Sequence, residues 1–342
     1  MKSRSRIFSI FFAAVGMLVL ILDSKTALKG AMEGIDLCIR TAIPSLLPFF
    51  IFSILLTGQL NGTDIPLLRP LGKICKIPSG SEAILAVGLL GGYPVGASCV
   101  AQVYRSGQLS KADAHRLLGF CSNAGPAFLF GIVSHLFSSA RTVWVLWGIH
   151  ILSALMAGML LPGKRSSQVR SRPTRGITLP AALQQAVQVM ASVCGWIVLF
   201  RVIITICSRW FLWLFPEIVQ VTITGLLELV NGCHALNNLP SESLRFILCA
   251  GFLAFGGLCV TMQTASVTEG LGMGMYIPGK ILQCIISLIT AGCVSGFLFR
   301  DEGVVNIQWL LPVFLITACV MLTYCIKKKK TVDFPFQLIY NK

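Results

Sequence analysis

ILAVGLLGGYPVGASCVAQV, residues 84–103, is apolar enough to enter a membrane, yet it carries Gly91, Gly92, Pro94 and Gly96 at its centre. A helix broken at that depth leaves N–H and C=O groups without intrahelical partners, and hydrocarbon cannot supply them. Such a break survives only when buried in protein or lining a wet cavity. A second interrupted run, 246–267, contains Gly256 and Gly257 and is followed by Gly270, Gly272 and Gly274. A shift of 165 residues lays Gly91-Gly92 on Gly256-Gly257, Val95 on Val260, Gly107 on Gly272 and Leu117 on Leu282. The same shift lays the apolar runs 117–137 and 143–161 on 282–302 and 308–326. Paired Gly/Pro-interrupted segments in two halves point to a transporter's binding site. Glycines that simply let helices pack closely are the plainer alternative.

Composition sets the class. The chain has 342 residues, 55% hydrophobic and 12% charged, with a mean hydropathy of +0.80. Soluble domains carry roughly a quarter charged residues. The apolar residues fall in long runs, near 83–104, 117–137, 143–161, 180–208, 217–236, 245–267, 277–299 and 309–326. A soluble enzyme, a disulfide scaffold and a disordered chain are excluded, and a lipid bilayer is the expected surrounding. Lys and Arg exceed Asp and Glu by 28 to 13, clustered at Lys2, Arg4 and Arg6, within 164–175, and at Lys327 to Lys330. Isolated basic loops beside apolar runs mark the cytoplasmic side and do not make a nucleic-acid face. The thirteen cysteines form no CxxC pair, the four histidines show no metal spacing, and no nucleophile elbow occurs. The expectation is therefore no enzyme, no metal and no cofactor.

The expected fold is all-α: a polytopic transmembrane bundle with two Gly-rich re-entrant or broken-helix hairpins in two related halves. Residues 1–24 read as a retained first span. In 25–41, Leu28, Met32, Ile35 and Ile39 share one helical face beside Lys25, Lys29, Glu33, Asp36 and Arg40, which reads as an amphipathic helix lying flat at the interface. The first half is 42–162, followed by a basic cytoplasmic loop at 163–178, a second half at 179–326 and a basic tail at 327–342. A re-entrant 83–104 keeps the 164–175 cluster inside, as the positive-inside rule asks. Whether 217–236 crosses, and which way the second hairpin opens, stays undecided by this count.

Candidate site residues follow from the breaks. Gly91 and Gly92 let the backbone approach a ligand, and Pro94 can open the second half-helix without losing a needed donor. Tyr93 could stack on an aromatic ring, donate its hydroxyl or sit in an interfacial belt. Ser122 and Asn123 precede the Gly125-Pro126 break, where an amide caps the break, meets cargo, or does both. Gly256, Gly257, Gln102 and Gln263 belong to or follow the two glycine pairs. Glu228 is the only acid between Ile218 and Val230, so with Asn231 it is the candidate ion-coupling site. Arg201, inside an apolar run, could pair with Glu228, attract an anion or snorkel.

PSLLPFF (Pro44 to Phe50), GGYPVGA (Gly91 to Ala97), the Gln108 to Leu118 loop, Asn123-x-Gly125-Pro126, LLELVNG (Leu226 to Gly232) and FGGLCVTMQ (Phe255 to Gln263) span most of residues 25–300. With them the chain resembles the sporulation integral membrane protein family of the YlbJ type. That family's gate domain also occurs in concentrative nucleoside transporters and in the membrane part of the iron transporter FeoB. The resemblance implies a multi-pass permease of a small organic anion, dipicolinic acid, in the mother-cell-derived forespore membrane. The chain has no GxxxxGK[ST], which weakens the iron reading. A non-transporting ligand-recognition or scaffold component, and an ion-coupled nucleoside permease, are the alternatives; the oligomeric state is open.

Overall fold

A computed structural model describes residues 2–60, 65–163 and 176–299. The expected span 309–326, the basic tail and residues 164–175 of the basic loop lie outside the described residues. The described elements are helical. They run α1 (Lys2–Leu22), α2 (Ser24–Leu37), α3 (Ile43–Leu60), α4 (Arg69–Ile74), α5 (Ala83–Leu90), α6 (Val95–Arg105), α7 (Lys111–Leu118) and α8 (Pro126–Gly131). After these come α9 (Ala140–Leu160), α10 (Leu179–Trp210), α11 (Glu217–Leu227), α12 (Leu229–Ala235), α13 (Glu242–Phe255), α14 (Gly257–Val267) and α15 (Tyr276–Leu298).

Among the described residues, five stretches are long and apolar enough to cross a bilayer: Ser24–Leu56, Ala140–Leu160, Leu179–Trp210, Glu242–Val267 and Tyr276–Leu298. Burial separates them. In Glu242–Val267, 72% of the apolar window is buried, against 28–44% in the other four. The α13–α14 stretch is thus the axis of the molecule, and the others turn a face outward. That outer face is oily, with Trp144 and Leu152 on α9, Leu183, Val187 and Leu199 on α10, and Ile289 and Phe297 on α15 all exposed. A bilayer is the solvent that accepts such a surface.

The segment 25–41 departs from the interfacial helix expected of it. α2 continues through a π-helical turn, Cys38–Ala42, into α3, just before Pro44 and Pro48 remove two amide donors from the ladder. It packs antiparallel on α10: Asp23 meets Arg209 and Trp210, Thr26 meets Arg209, and Cys38 meets the Cys194 carbonyl. The face it buries is the small one, Thr26, Ala27, Gly30 and Gly34, while Leu28, Met32, Ile35 and Ile39 face outward. In water the apolar face would be buried; in lipid it is small residues that bring two backbones together. The charges on α2 also have a partner. Arg201, set in an apolar run of α10, donates to Glu33 at 2.8 and 3.0 Å. Of the readings open for Arg201, a direct pairing with Glu228 is not the one found; its acidic partner is Glu33.

Both glycine pairs interrupt a helix, and the segments that follow them differ. Residues 117–137 are split by a loop at Gly119–Gly125, whereas 282–298 lies within the unbroken α15. The run 217–236 is likewise not one continuous helix, since it divides at Glu228 into α11 and α12.

A Cβ at Gly34 would lie 2.9 Å from Val198 Cα, and one at Gly30 2.9 Å from Val202 Cα. Gly34→Val should therefore cost about 1–3 kcal/mol by forcing α2 off α10. Thermal unfolding in detergent should show a clear drop in Tm. Gly195→Ala, with no neighbour within 4 Å, should leave it unchanged.

Candidate functional site

Four interruptions of the helical backbone converge. α5 stops at Gly91 and α6 begins after Pro94, with Gly92 at φ +75°. The loop from Gly119 ends at Gly125, and Pro126 starts α8 at the position where a missing N–H costs nothing. α11 ends before Glu228, and α13 is divided from α14 at Gly256, where Gly256 and Gly257 hold φ +81° and +80°. Only glycine takes that backbone shape without strain.

The breaks close on one another. A Cβ on Gly125 would sit 3.0 Å from Gly92 N, and one on Gly96 would sit 2.2 Å from the Cys121 carbonyl oxygen. Gly256 lies against the Tyr93 ring, its Cβ position 3.3 Å from Cζ. A Cβ on Gly257 would lie against the last carbonyls of α11, 3.2 Å from Gly225 O and 3.3 Å from Leu227 O. Bare backbone therefore meets bare backbone.

Several spaces adjoin the first break. A narrow cavity of about 40 Å³ is lined by Gly91, Gly92, Tyr93, Gly125, Glu228 and Gln263, with Phe49, Phe50 and Val260 among its apolar walls. On the other side, an open vestibule of about 730 Å³ is lined by Pro94, Ser98, Gln102, Thr178, Gln185 and Gln188. The cavity admits a few waters; the vestibule is of the size that receives an organic molecule. The segment Gly91–Val95 contributes residues to both linings.

The structure thus brings six sequence candidates, Gly91, Gly92, Tyr93, Gly125, Glu228 and Gln263, to one wall and puts Pro94 and Gln102 on the vestibule. Gln263 donates to Cys259 Sγ at 3.2 Å, and Gln102 is exposed. Gly256 and Gly257 stand behind Tyr93. Tyr93 itself is buried, donating to Leu253 O at 3.2 Å, so it belongs to no interfacial belt. Asn123 is a staple between elements: its amide donates to Gly88 O at 3.2 Å and to Phe120 O at 2.7 Å. Ser122 is fully buried beside it with its hydroxyl unpartnered.

Glu228 caps α12. One carboxylate oxygen accepts from Val230 N at 3.0 Å, and the other from Asn231 N at 2.6 Å and Asn231 Nδ2 at 2.7 Å. Asn231 in turn accepts from Arg201 at 3.4 Å, so Glu228 reaches Arg201 and Glu33 only through that amide. The anion is satisfied by local donors and the start of a helix.

Lys280 is the residue that reading the sequence missed. It is 1% exposed, and its ammonium donates to Tyr93 OH at 3.2 Å, Asn123 Oδ1 at 3.2 Å and Gln283 Oε1 at 2.7 Å. Gln283 adds its own donation to Asn123 Oδ1 at 2.9 Å. The placement follows from a close backbone contact. A Cβ on Gly279 would fall 2.1 Å from Gly119 O, so α15 lies directly on the loop and delivers Lys280 to Asn123. The signal was present in the sequence, since Lys280 is the only charge in 277–299. An intramembrane charge is a functional candidate by default, the rule that singled out Glu228. Replacing Glu228 with Ala strands three amide donors and should cost about 2 kcal/mol. Glu228→Gln keeps one acceptor oxygen, and a melting series in detergent should place it between Ala and wild type.

Among curated proteins, the chain is similar to the sporulation integral membrane protein YlbJ of Bacillus subtilis (strain 168), at 26% identity with 71% of each chain covered. No family model matches the chain, and no solved structure does. With five helices able to cross a bilayer and an integral membrane relative, the chain is a multi-pass integral membrane protein.

Proposed function

We propose that this protein is a permease of a small organic anion, dipicolinic acid, and that it acts in endospore formation as a member of the YlbJ-type family. The single observation that carries the reading is the convergence. Four helix breaks meet beside a narrow cavity, and one of them, Gly91–Val95, lines both that cavity and a larger, polar-lined vestibule. Irregular backbone at membrane depth is the usual lining of a transport route. Cargo collects in the vestibule, and the Gly91–Pro94 segment shifts to admit it to the cavity. Glycine at φ +75° supplies a hinge where the helix has no hydrogen-bond ladder to break.

The relative's printed name supports the setting, a membrane of the sporulating cell. A forespore membrane location suits a carrier of a spore-destined dicarboxylate. Each of the two glycine-interrupted segments serves as one gate of the carrier, and neither requires the rest of the two halves to match.

The test is uptake of labelled dipicolinate into proteoliposomes holding the purified full chain. Saturable uptake is expected, competed by unlabelled dipicolinate and not by uridine. Asn123→Ala frees Gly88 O and Phe120 O and unsettles both the loop and Tyr93's neighbour, so it should lower the rate at least tenfold at equal protein abundance. Absence of flux from a well-folded wild type would make the protein a scaffold or ligand-recognition component instead.

A further inference from the structure

A buried ammonium without a counter-charge is among the costlier arrangements in protein interiors, worse still where lipid surrounds the fold. Arg201 pairs with Glu33, and the exposed Arg209 with Asp23. Two other cations are held by backbone carbonyls: buried Arg116 by those of Lys76 and Gly158, the latter in the last turn of α9, and half-buried Arg245 by those of Leu239 and Leu136. Lys280 is held by side chains alone. Its three donors meet three neutral acceptors, Tyr93, Asn123 and Gln283, and none of its partners is acidic. The ammonium is held in place but not neutralised.

Its position relative to the cavity is the second observation. Tyr93 lines the cavity on one side and touches Lys280 on the other, with the ammonium 3.2 Å from the hydroxyl and 5.2 Å from the ring centroid. One aromatic ring separates the Lys280 amine from the cavity. Ser122 Oγ, next in sequence to the Asn123 that holds the ammonium, and both ring nitrogens of His150 are buried and have no partner among the described residues, and His150 stands within Coulombic reach of Lys280. Polar groups left idle beside an uncompensated charge are what a site lacking its ligand leaves behind.

We propose that Lys280 is the anion-recognition residue of the carrier, and that a carboxylate of the cargo takes the place of the Tyr93 hydroxyl on its ammonium. This rests on the permease reading and adds the group that selects the charge of the cargo. Tyr93 acts as the screen, covering the ammonium when the site is empty and giving way when a carboxylate arrives. Asn123 and Gln283 keep the ammonium in place throughout. Glu228, across the cavity, has its oxygens engaged by three amide donors and does not supply the missing charge.

The experiment is equilibrium binding to the full chain in lipid nanodiscs, with dipicolinate and its neutral diamide, pyridine-2,6-dicarboxamide, as probes. Wild type should prefer the dianion at least tenfold. Lys280→Met, close in shape and uncharged, should lose at least tenfold in dipicolinate affinity while its weak diamide binding stays put; Lys280→Arg should keep part of the preference. Tyr93→Phe removes an acceptor from the ammonium and should bind dipicolinate severalfold more tightly, which keeps the test alive if Lys280→Met fails to fold. The proposal is overturned if wild type shows no preference for the dianion, if folded Lys280→Met binds dipicolinate within twofold of wild type, or if Tyr93→Phe binds it no more tightly. Selective binding without proteoliposome flux would sink the permease reading and leave Lys280 as the anion site. Normal flux in Lys280→Met would do the reverse.

Discussion

Peptide groups released by a broken helix must find partners inside the protein, because lipid offers none. The fold is organised around that constraint. Four breaks, at Gly91–Pro94, Gly119–Gly125, Glu228 and Gly256–Gly257, are brought close enough to cover one another. Each contact point is a glycine because a single Cβ would collide with backbone, as at Gly96 against Cys121 and Gly279 against Gly119. A break that is closed by other breaks is only conditionally closed. Moving one would expose the rest.

The remaining charges are arranged to leave that centre quiet. Arg201 and Glu33 cancel between α10 and α2, Arg209 and Asp23 cancel at the other end of the same pair, and Glu228 is absorbed into the cap of α12. What is left over at the convergence is the positive charge of Lys280, held by amides and a phenol. The long α2–α10 contact, made by Gly30 and Gly34 against Val198 and Val202, fixes the scaffold on which Glu228 and Asn231 are presented.

Much of this could be read from the chain. Glycine and proline inside an apolar run are punctuation that physics enforces, so the breaks at 91–94, 125–126 and 256–257 were legible, and Glu228 stood out as a lone acid. Other features were not. The amphipathic pattern of 25–41 has the same periodicity whether the helix lies on a membrane or stands against α10; which face is buried depends on the partner, and Arg201 is 168 residues away in sequence from Glu33. The proposed internal repeat matched at its glycines, but helix continuity depends on every residue between, and α15 lacks the Gly-x-x-x-x-x-Gly-Pro interruption found at 119–126. Lys280 was legible and overlooked: the rule that flagged Glu228 applies to it equally.

The central claim is that the breaks enclose a space that water and cargo enter. It is tested most directly by placing a single cysteine at Val260, a wall residue of the cavity, in a chain otherwise freed of cysteine, and treating membrane vesicles with a hydrophilic thiol reagent. The account predicts labelling in the native protein and protection by dipicolinate. A thiol that stays unreactive in native vesicles, and reacts only after denaturation, would mean a dry, sealed packing contact and would contradict it.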